Sequence, residues 1–158
     1  MSFAGLATMK GLAVRIFGAF VALPWVSVGQ LYCGNVWGAD WPRYRGPDNN
    51  GVSAEVNWKV KWPETGPPID WRFDVGTGYS SVVVSEGRLY TLGNQDNVDT
   101  VYCLDAVSGE KLWTHSYECA TDANEFEGGP TSTPTVDQGL VFTLSRVGDL
   151  FCFDGKTG

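Results

Sequence analysis

The sequence predicts an all-β fold built from four-stranded antiparallel sheets of the β-propeller blade type, and three observations carry it. Glycine and proline are plentiful, at 20 and 8 of 158 residues, against an ordinary combined share of about 12%. Seven Trp, six Tyr and eight Phe supply bulky rings between these turn formers, as short strands joined by tight turns require. Strand-and-turn units then recur with a period near 50. Gly87 and Gly139 lie 52 residues apart, and Asp105 and Asp154 lie 49 apart. Such a period with strand content indicates propeller blades and not a helical solenoid.

Composition also excludes partners. Hydrophobic residues make up 43% and charged residues 18% of the chain, too apolar for a disordered polyelectrolyte. The formal charge of −7 lacks the basic surface a nucleic acid would need.

The chain opens on a targeting pattern, assigned to residues 1–39. Lys10 and Arg15 precede the uncharged apolar stretch Ile16–Gly29, the arrangement of a secretory signal. Pro24, Ser27 and Gln30 interrupt the run before the roughly 20 apolar residues of a membrane span. Cleavage is open among Ser27-Val28-Gly29, Val36-Trp37-Gly38 and Ala39, and the large Tyr32 before Cys33 argues against a lipidated cysteine. An exported chain with no membrane insertion after cleavage is expected, and the leader itself is expected to be helical.

Residues 40–70 form an extended arm. Trp41-Pro42-Arg43-Tyr44-Arg45-Gly46-Pro47, Trp62-Pro63 and Gly66-Pro67-Pro68 keep the backbone out of helix, because a residue before proline is pushed to extended conformations. Trp41, Tyr44, Trp58 and Trp62 are too bulky for a solvated linker, so the arm is expected to bury them against a larger body. Arg43 and Arg45 suggest an anion site, but pairing with surface carboxylates or stacking on rings is the simpler expectation.

Residues 71–158 carry the repeats. Strands are expected at about 81–85, 88–93, 100–104 and 111–117, then at about 133–137, 140–145 and 149–153, in two adjacent sheets. The structural positions of the repeat are Gly87, Asp105, Gly109 and Trp113, then Gly139, Asp154 and Gly158. Asp105 and Asp154 can accept backbone N–H groups two residues on. Gly109 and Gly158 supply the left-handed conformation closing a three-residue hairpin with a bulge. Trp113 is expected to bridge two blades. Cys103 and Cys152 occupy matching places and are read as two buried thiols, with a Cys103–Cys119 bridge left open.

The string Arg88–Trp113, with its Tyr-Cys-Leu-Asp-Ala-Val-Ser-Gly turn and Glu-Lys-Leu-Trp after it, resembles the PQQ-like repeat of the quinoprotein alcohol dehydrogenase-like β-propellers. Gly139–Gly158 resembles a second copy, and Trp41–Pro47 with Gly51-Val52-Ser53 is similar to the arm before such propellers in exported bacterial proteins. The resemblance implies a propeller of seven or eight blades, of which about two are present. An N-terminal fragment of a longer protein is therefore expected. It also implies either a non-catalytic scaffold of the cell envelope or periplasm, binding a protein or an envelope component, or the first part of a PQQ-dependent dehydrogenase.

Candidate chemistry is sparse. No catalytic residue, metal ligand or cofactor is assigned, and the resemblance admits PQQ and calcium only in a complete propeller. Asn94, Asp96, Asn97 and Asp99 offer oxygen ligands but fit an ordinary polar hairpin loop. Gly155-Lys156-Thr157 lacks the upstream glycine of a phosphate loop. His115, the single histidine, lies in a strand-like run, and no CxxC or HxxxH spacing occurs. Glu118–Pro130, with Asp122, Glu125 and Glu127, is a long acidic loop whose default reading is a solvated insertion and whose alternative is a partner surface.

Overall fold

A computed structural model describes residues 38–57, 59–122 and 127–158. The expected helical leader, Trp58 and Glu125 lie outside these residues. All regular elements among the described residues are strands, in two antiparallel sheets. The first holds β1 (Val83–Ser85), β2 (Arg88–Gln95), β3 (Val98–Asp105) and β4 (Lys111–Glu118) in sequential order. The second holds β5 (Thr135–Asp137), β6 (Leu140–Leu144) and β7 (Leu150–Asp154). This is the expected all-β architecture of stacked propeller blades.

Two-residue turns set the register. Glu86 and Gly87 have φ of 50° and 74°, Gln138 and Gly139 have 48° and 79°, the two left-handed residues of a hairpin turn matched to strand twist. Asp96 and Asn97, at 54° and 64°, make a third such turn. Their hairpin turn is therefore tighter than the polar loop expected to carry Asn94, Asp96, Asn97 and Asp99. Pairing runs unbroken to Gln95↔Val98, which places Asn94 and Asp99 inside the sheet, both buried.

The inner strands are shorter than expected, for a local reason. The ladder would continue from Val83↔Tyr90 to Ser81 opposite Leu92, but the Leu92 N–H donates instead to Ser80 Oγ at 3.3 Å. In the second sheet the ladder would continue from Thr135↔Phe142 to Thr133 opposite Leu144, but the Leu144 carbonyl accepts the Ser132 hydroxyl instead.

The turn after β3 has four residues, 106–109, and not three. Gly109 N–H donates to the Asp105 carbonyl at 2.9 Å, and Asp105 N–H to the Glu110 carbonyl at 2.8 Å. The bulge falls in β4, where the register shifts between Cys103↔Trp113 and Leu104↔Lys111 and leaves Leu112 unpaired.

The core lies between the sheets. Val83, Tyr90, Leu92, Val101 and Cys103 from the first meet Val136, Val141 and Phe153 from the second. The alternate β4 side chains Trp113, His115 and Tyr117 face Phe151 and Phe153, with ring centroids 4.7 to 5.6 Å apart across the interface. On the opposite side of the first sheet, residues 71–77 run extended. Phe73 meets Tyr102 edge-on at 5.4 Å, and Thr77 exchanges backbone bonds with Asn94 at 2.9 and 2.7 Å.

Two expectations are corrected. Cys152 is exposed although its equivalent Cys103 is buried. The second sheet covers Cys103, whereas nothing among the described residues covers the β7 face that carries Cys152. The arm, likewise, does not bury all its rings. Trp41 folds over Gly46, where a Cβ would stand 2.7 Å from the indole, but Tyr44 and Trp62 are 68% and 50% exposed. Among the described residues, the start of the arm joins the sheets. Trp41 exchanges backbone bonds with Val84 at 2.8 and 3.0 Å, and the Pro42 carbonyl accepts Val136 N–H at 2.8 Å.

Candidate binding groove

The two sheets present their turns at one end, and the arm crosses there. The β1–β2 turn, the β5–β6 turn, the turn after β7 and arm residues Asp40–Arg43 enclose a groove of about 570 Å³. Its charged lining is Asp40, Arg43, Glu86, Arg88, Asp137, Asp154 and Lys156. Asp40 ties the arm in place, its carboxylate accepting the Glu86 N–H at 3.1 Å and the Ser85 hydroxyl at 3.3 Å. Arg43 stands 4.0 Å from Asp137, the carboxylate pairing expected of it. Arg45 instead donates to the Asn50 carbonyl at 3.3 Å. The Nε atoms of both Arg43 and Arg88 are buried without a hydrogen-bond partner.

The repeat residues form the frame of this groove. Asp105 Oδ1 accepts the N–H groups of Val107 and Ser108 at 3.0 and 2.8 Å and the Ser108 hydroxyl at 2.9 Å. Asp154 Oδ1 does the same with Lys156, Thr157 and the Thr157 hydroxyl at 2.9, 2.9 and 3.1 Å. The Ser108 N–H and hydroxyl hold the Asp105 carboxyl below its ordinary range, and the Thr157 and Lys156 N–H groups do so for Asp154. Lys156-Thr157 thus belongs to a turn that binds its own aspartate.

Gly109 and Gly158 have φ of 72° and 89°, and each lies under an indole. A Cβ on Gly109 would stand 2.5 Å from Trp71, and one on Gly158 3.1 Å from Trp113. Trp113 bridges the sheets further, its Nε1 donating to the Gly155 carbonyl at 3.1 Å. The Tyr90 hydroxyl reaches the same oxygen at 3.0 Å. Gly87 and Gly139 offer their carbonyls to Ala106 and Gly155 N–H at 3.0 and 2.8 Å, tying the two turns of each sheet together.

Beneath the groove, burial pushes the Tyr90 phenol up and the Cys103 thiol up to about 11. Burial thus favours the protonated form of each. Cys103 and Cys119 are free thiols, with no bridge between them.

Polar groups of the oxygen-rich hairpin take protein partners. Asn94 Nδ2 donates to Asp99 Oδ1 at 2.7 Å and to the Cys119 carbonyl at 2.9 Å, while Asn97 Oδ1 accepts the Thr121 N–H at 3.0 Å. Asn94 and Asp99 thus bond each other, and Asn97 turns to the segment after β4. His115 packs on Phe151 and Phe153 at 5.3 and 5.0 Å. Of the acidic loop, Asp122 pairs with Arg146 at 3.5 Å and Glu127 accepts the Tyr79 hydroxyl at 2.7 Å.

Sequence reasoning missed Arg88 and Lys156 as groove residues. Both sit in repeat-like stretches, and only the approach of two turns from different sheets makes them neighbours.

Among known proteins, the family described as "Outer membrane protein assembly factor BamB" matches residues 52–158. No curated protein matches the chain. The match covers every strand of both sheets and both copies of the Asp-centred turn, and the chain belongs to this family of PQQ-like repeat proteins.

Proposed function

We propose that the chain is a non-catalytic binding module of the bacterial cell envelope, exported by residues 1–39 and holding a partner polypeptide in the groove crossed by its arm. The observation that carries this reading is the use of the repeat's polar groups. The Asp105 and Asp154 carboxylates bond their own turns, and the Tyr90 and Trp113 donors close the sheet-to-sheet contact. Chemistry is thus left to the groove rim, where Arg43, Arg88 and Lys156 face Glu86 and Asp137. A rim of mixed sign suits a polypeptide with both charges, since complementary charge directs encounter and fixes register. The family description names an assembly factor for outer membrane proteins, which supports a protein partner at that membrane.

The test is site-specific photocrosslinking in envelope preparations, with the probe at Lys156 and a control probe at Thr114, on the outer strand β4. A discrete adduct from Lys156 alone, lost in Arg43→Glu, is the expected result. Calcium-dependent dye reduction by the purified chain with added PQQ would overturn the reading in favour of the dehydrogenase.

A further inference from the structure

The seam between the two sheets is closed differently at its two ends. At the groove end the Gly155 carbonyl accepts both the Tyr90 hydroxyl and the Trp113 Nε1–H. At the other end a row of polar side chains crosses the first sheet. Asn94 stands opposite Asp99, and Asp99 opposite Tyr117. Strand alternation turns all three toward the second sheet, since Leu92, Val101 and Trp113 on the same face belong to the core. The second sheet meets this row with Thr143. That residue shares the face of Val141 and pairs with Phe151, on whose ring Tyr117 stacks at 4.7 Å. Asn94, Asp99 and Thr143 are all buried.

The hydrogen bonds of this row do not close on themselves. Asp99 Oδ1 accepts the Asn94 amide at 2.7 Å. Asp99 Oδ2, the Tyr117 hydroxyl and the Thr143 hydroxyl are buried with no hydrogen-bond partner among the described residues. Burial and the adjacent Asp99 carboxylate push the Tyr117 phenol up, and both act on the Cys119 thiol in the same direction. The phenol hydroxyl therefore stands beside the carboxylate without bonding it. Three unsatisfied polar atoms, drawn from both sheets, share one level of the seam, where native interiors leave few such groups unpaired.

We propose that the seam holds a binding site for one internal water molecule, which donates to Asp99 Oδ2 and accepts from the Tyr117 and Thr143 hydroxyls. A buried water typically makes about three hydrogen bonds to groups that are otherwise unsatisfied, and three is the number on offer. Counting donors selects water over an ion. A cation would neutralise Asp99 but take the hydroxyl oxygens as ligands, leaving both hydroxyl protons unbonded. An anion would meet the carboxylate. Water alone supplies a proton for the carboxylate together with lone pairs for two hydroxyls. Because Asp99 and Thr143 belong to different sheets, the site forms only when two successive repeat units pack. The water then joins them at the end away from the groove, as the Gly155 carbonyl joins them beside it.

The test is oxygen-17 magnetic relaxation dispersion on the purified chain, which counts internal waters that exchange more slowly than the protein tumbles. The amplitude should fall by one water in Thr143→Val, and Tyr117→Phe, which keeps the ring, should reproduce the loss. Thr91→Val should leave it unchanged, since Thr91 is also buried but lies on the opposite face of β2. In denaturant titrations, Asp99→Asn and Thr143→Val should couple by about fivefold in the folding equilibrium, because they share a partner. Equal amplitudes in the parent chain, Thr143→Val and Tyr117→Phe would overturn the proposal, as would additivity of the two substitutions. A saturable rise of melting temperature in sodium chloride over choline chloride, abolished by Asp99→Asn, would place a cation there and overturn it as well.

Discussion

Asp105 and Asp154, 49 residues apart, hold their turns with the same three bonds, each to two N–H groups and one hydroxyl. The hydroxyl comes from Ser108 in one turn and Thr157 in the other, so the pattern survives a change of residue.

An acid sensitivity follows. Both carboxyls titrate below their ordinary range in the folded chain, whereas unfolded aspartate titrates near about 3.9. Their stabilisation is therefore complete above about pH 4 and is lost as pH falls through the lowered folded values. The melting temperature should hold steady above about pH 4 and drop as pH falls below it. The double variant D105N/D154N, which keeps an acceptor oxygen without the charge, should show a flatter profile.

Glycine substitutions should separate backbone strain from collision. Gly139 has φ of 79° and open space where a Cβ would go, while Gly109 has φ of 72° and an indole 2.5 Å from that point. Gly139→Ala should cost about 1–2 kcal/mol for the left-handed conformation alone. Gly109→Ala should cost clearly more in urea unfolding, and Gly109→Ala with Trp71→Ala should remove the excess.

The buried amide-carboxylate pair gives a larger effect. Asp99 is 1% exposed and Asn94 donates to it at 2.7 Å. Asn94→Ala leaves the carboxylate buried with one bond fewer, a loss of about 2–3 kcal/mol. Denaturant titration with an unchanged m-value would confirm that the cost lies in the folded state.

Trp113→Ala removes a half-buried ring and its bond to Gly155. The expected cost is about 3 kcal/mol, the lower end for a large aromatic. Tyr90→Phe removes only the second donor to the same carbonyl and should cost about 1 kcal/mol. A double-mutant cycle should show coupling, because the two donors share one oxygen.

How legible was this in the sequence? The strand positions are legible directly, because period-2 patterning is a local signal, but the turn after β3 spans four residues where the spacing suggests three. Asn94 and Asp99 were misread as loop residues. The two-residue Asp96-Asn97 turn needs both residues left-handed, which Asn and Asp tolerate without the glycine that marks such turns. Cys152 was misread for a different reason. A repeat transfers a residue's place in its sheet, but burial depends on what lies across from that sheet. The groove was invisible, since Arg43, Arg88 and Lys156 meet only when separate turns converge.

The Gly155 carbonyl also sets a schedule for synthesis. Tyr90 and Trp113 find their shared acceptor 65 and 42 residues later in the chain, so the first sheet leaves the ribosome with two donors unmet. Its hairpins close on local contacts within microseconds, while the long-range closure must wait for elongation at about 5–20 residues per second. For the seconds between, Tyr90, Leu92 and Val101 stand uncovered. A chaperone that holds extended, ring-bearing strands during synthesis would find its substrate in that interval and lose it once Gly155 arrives.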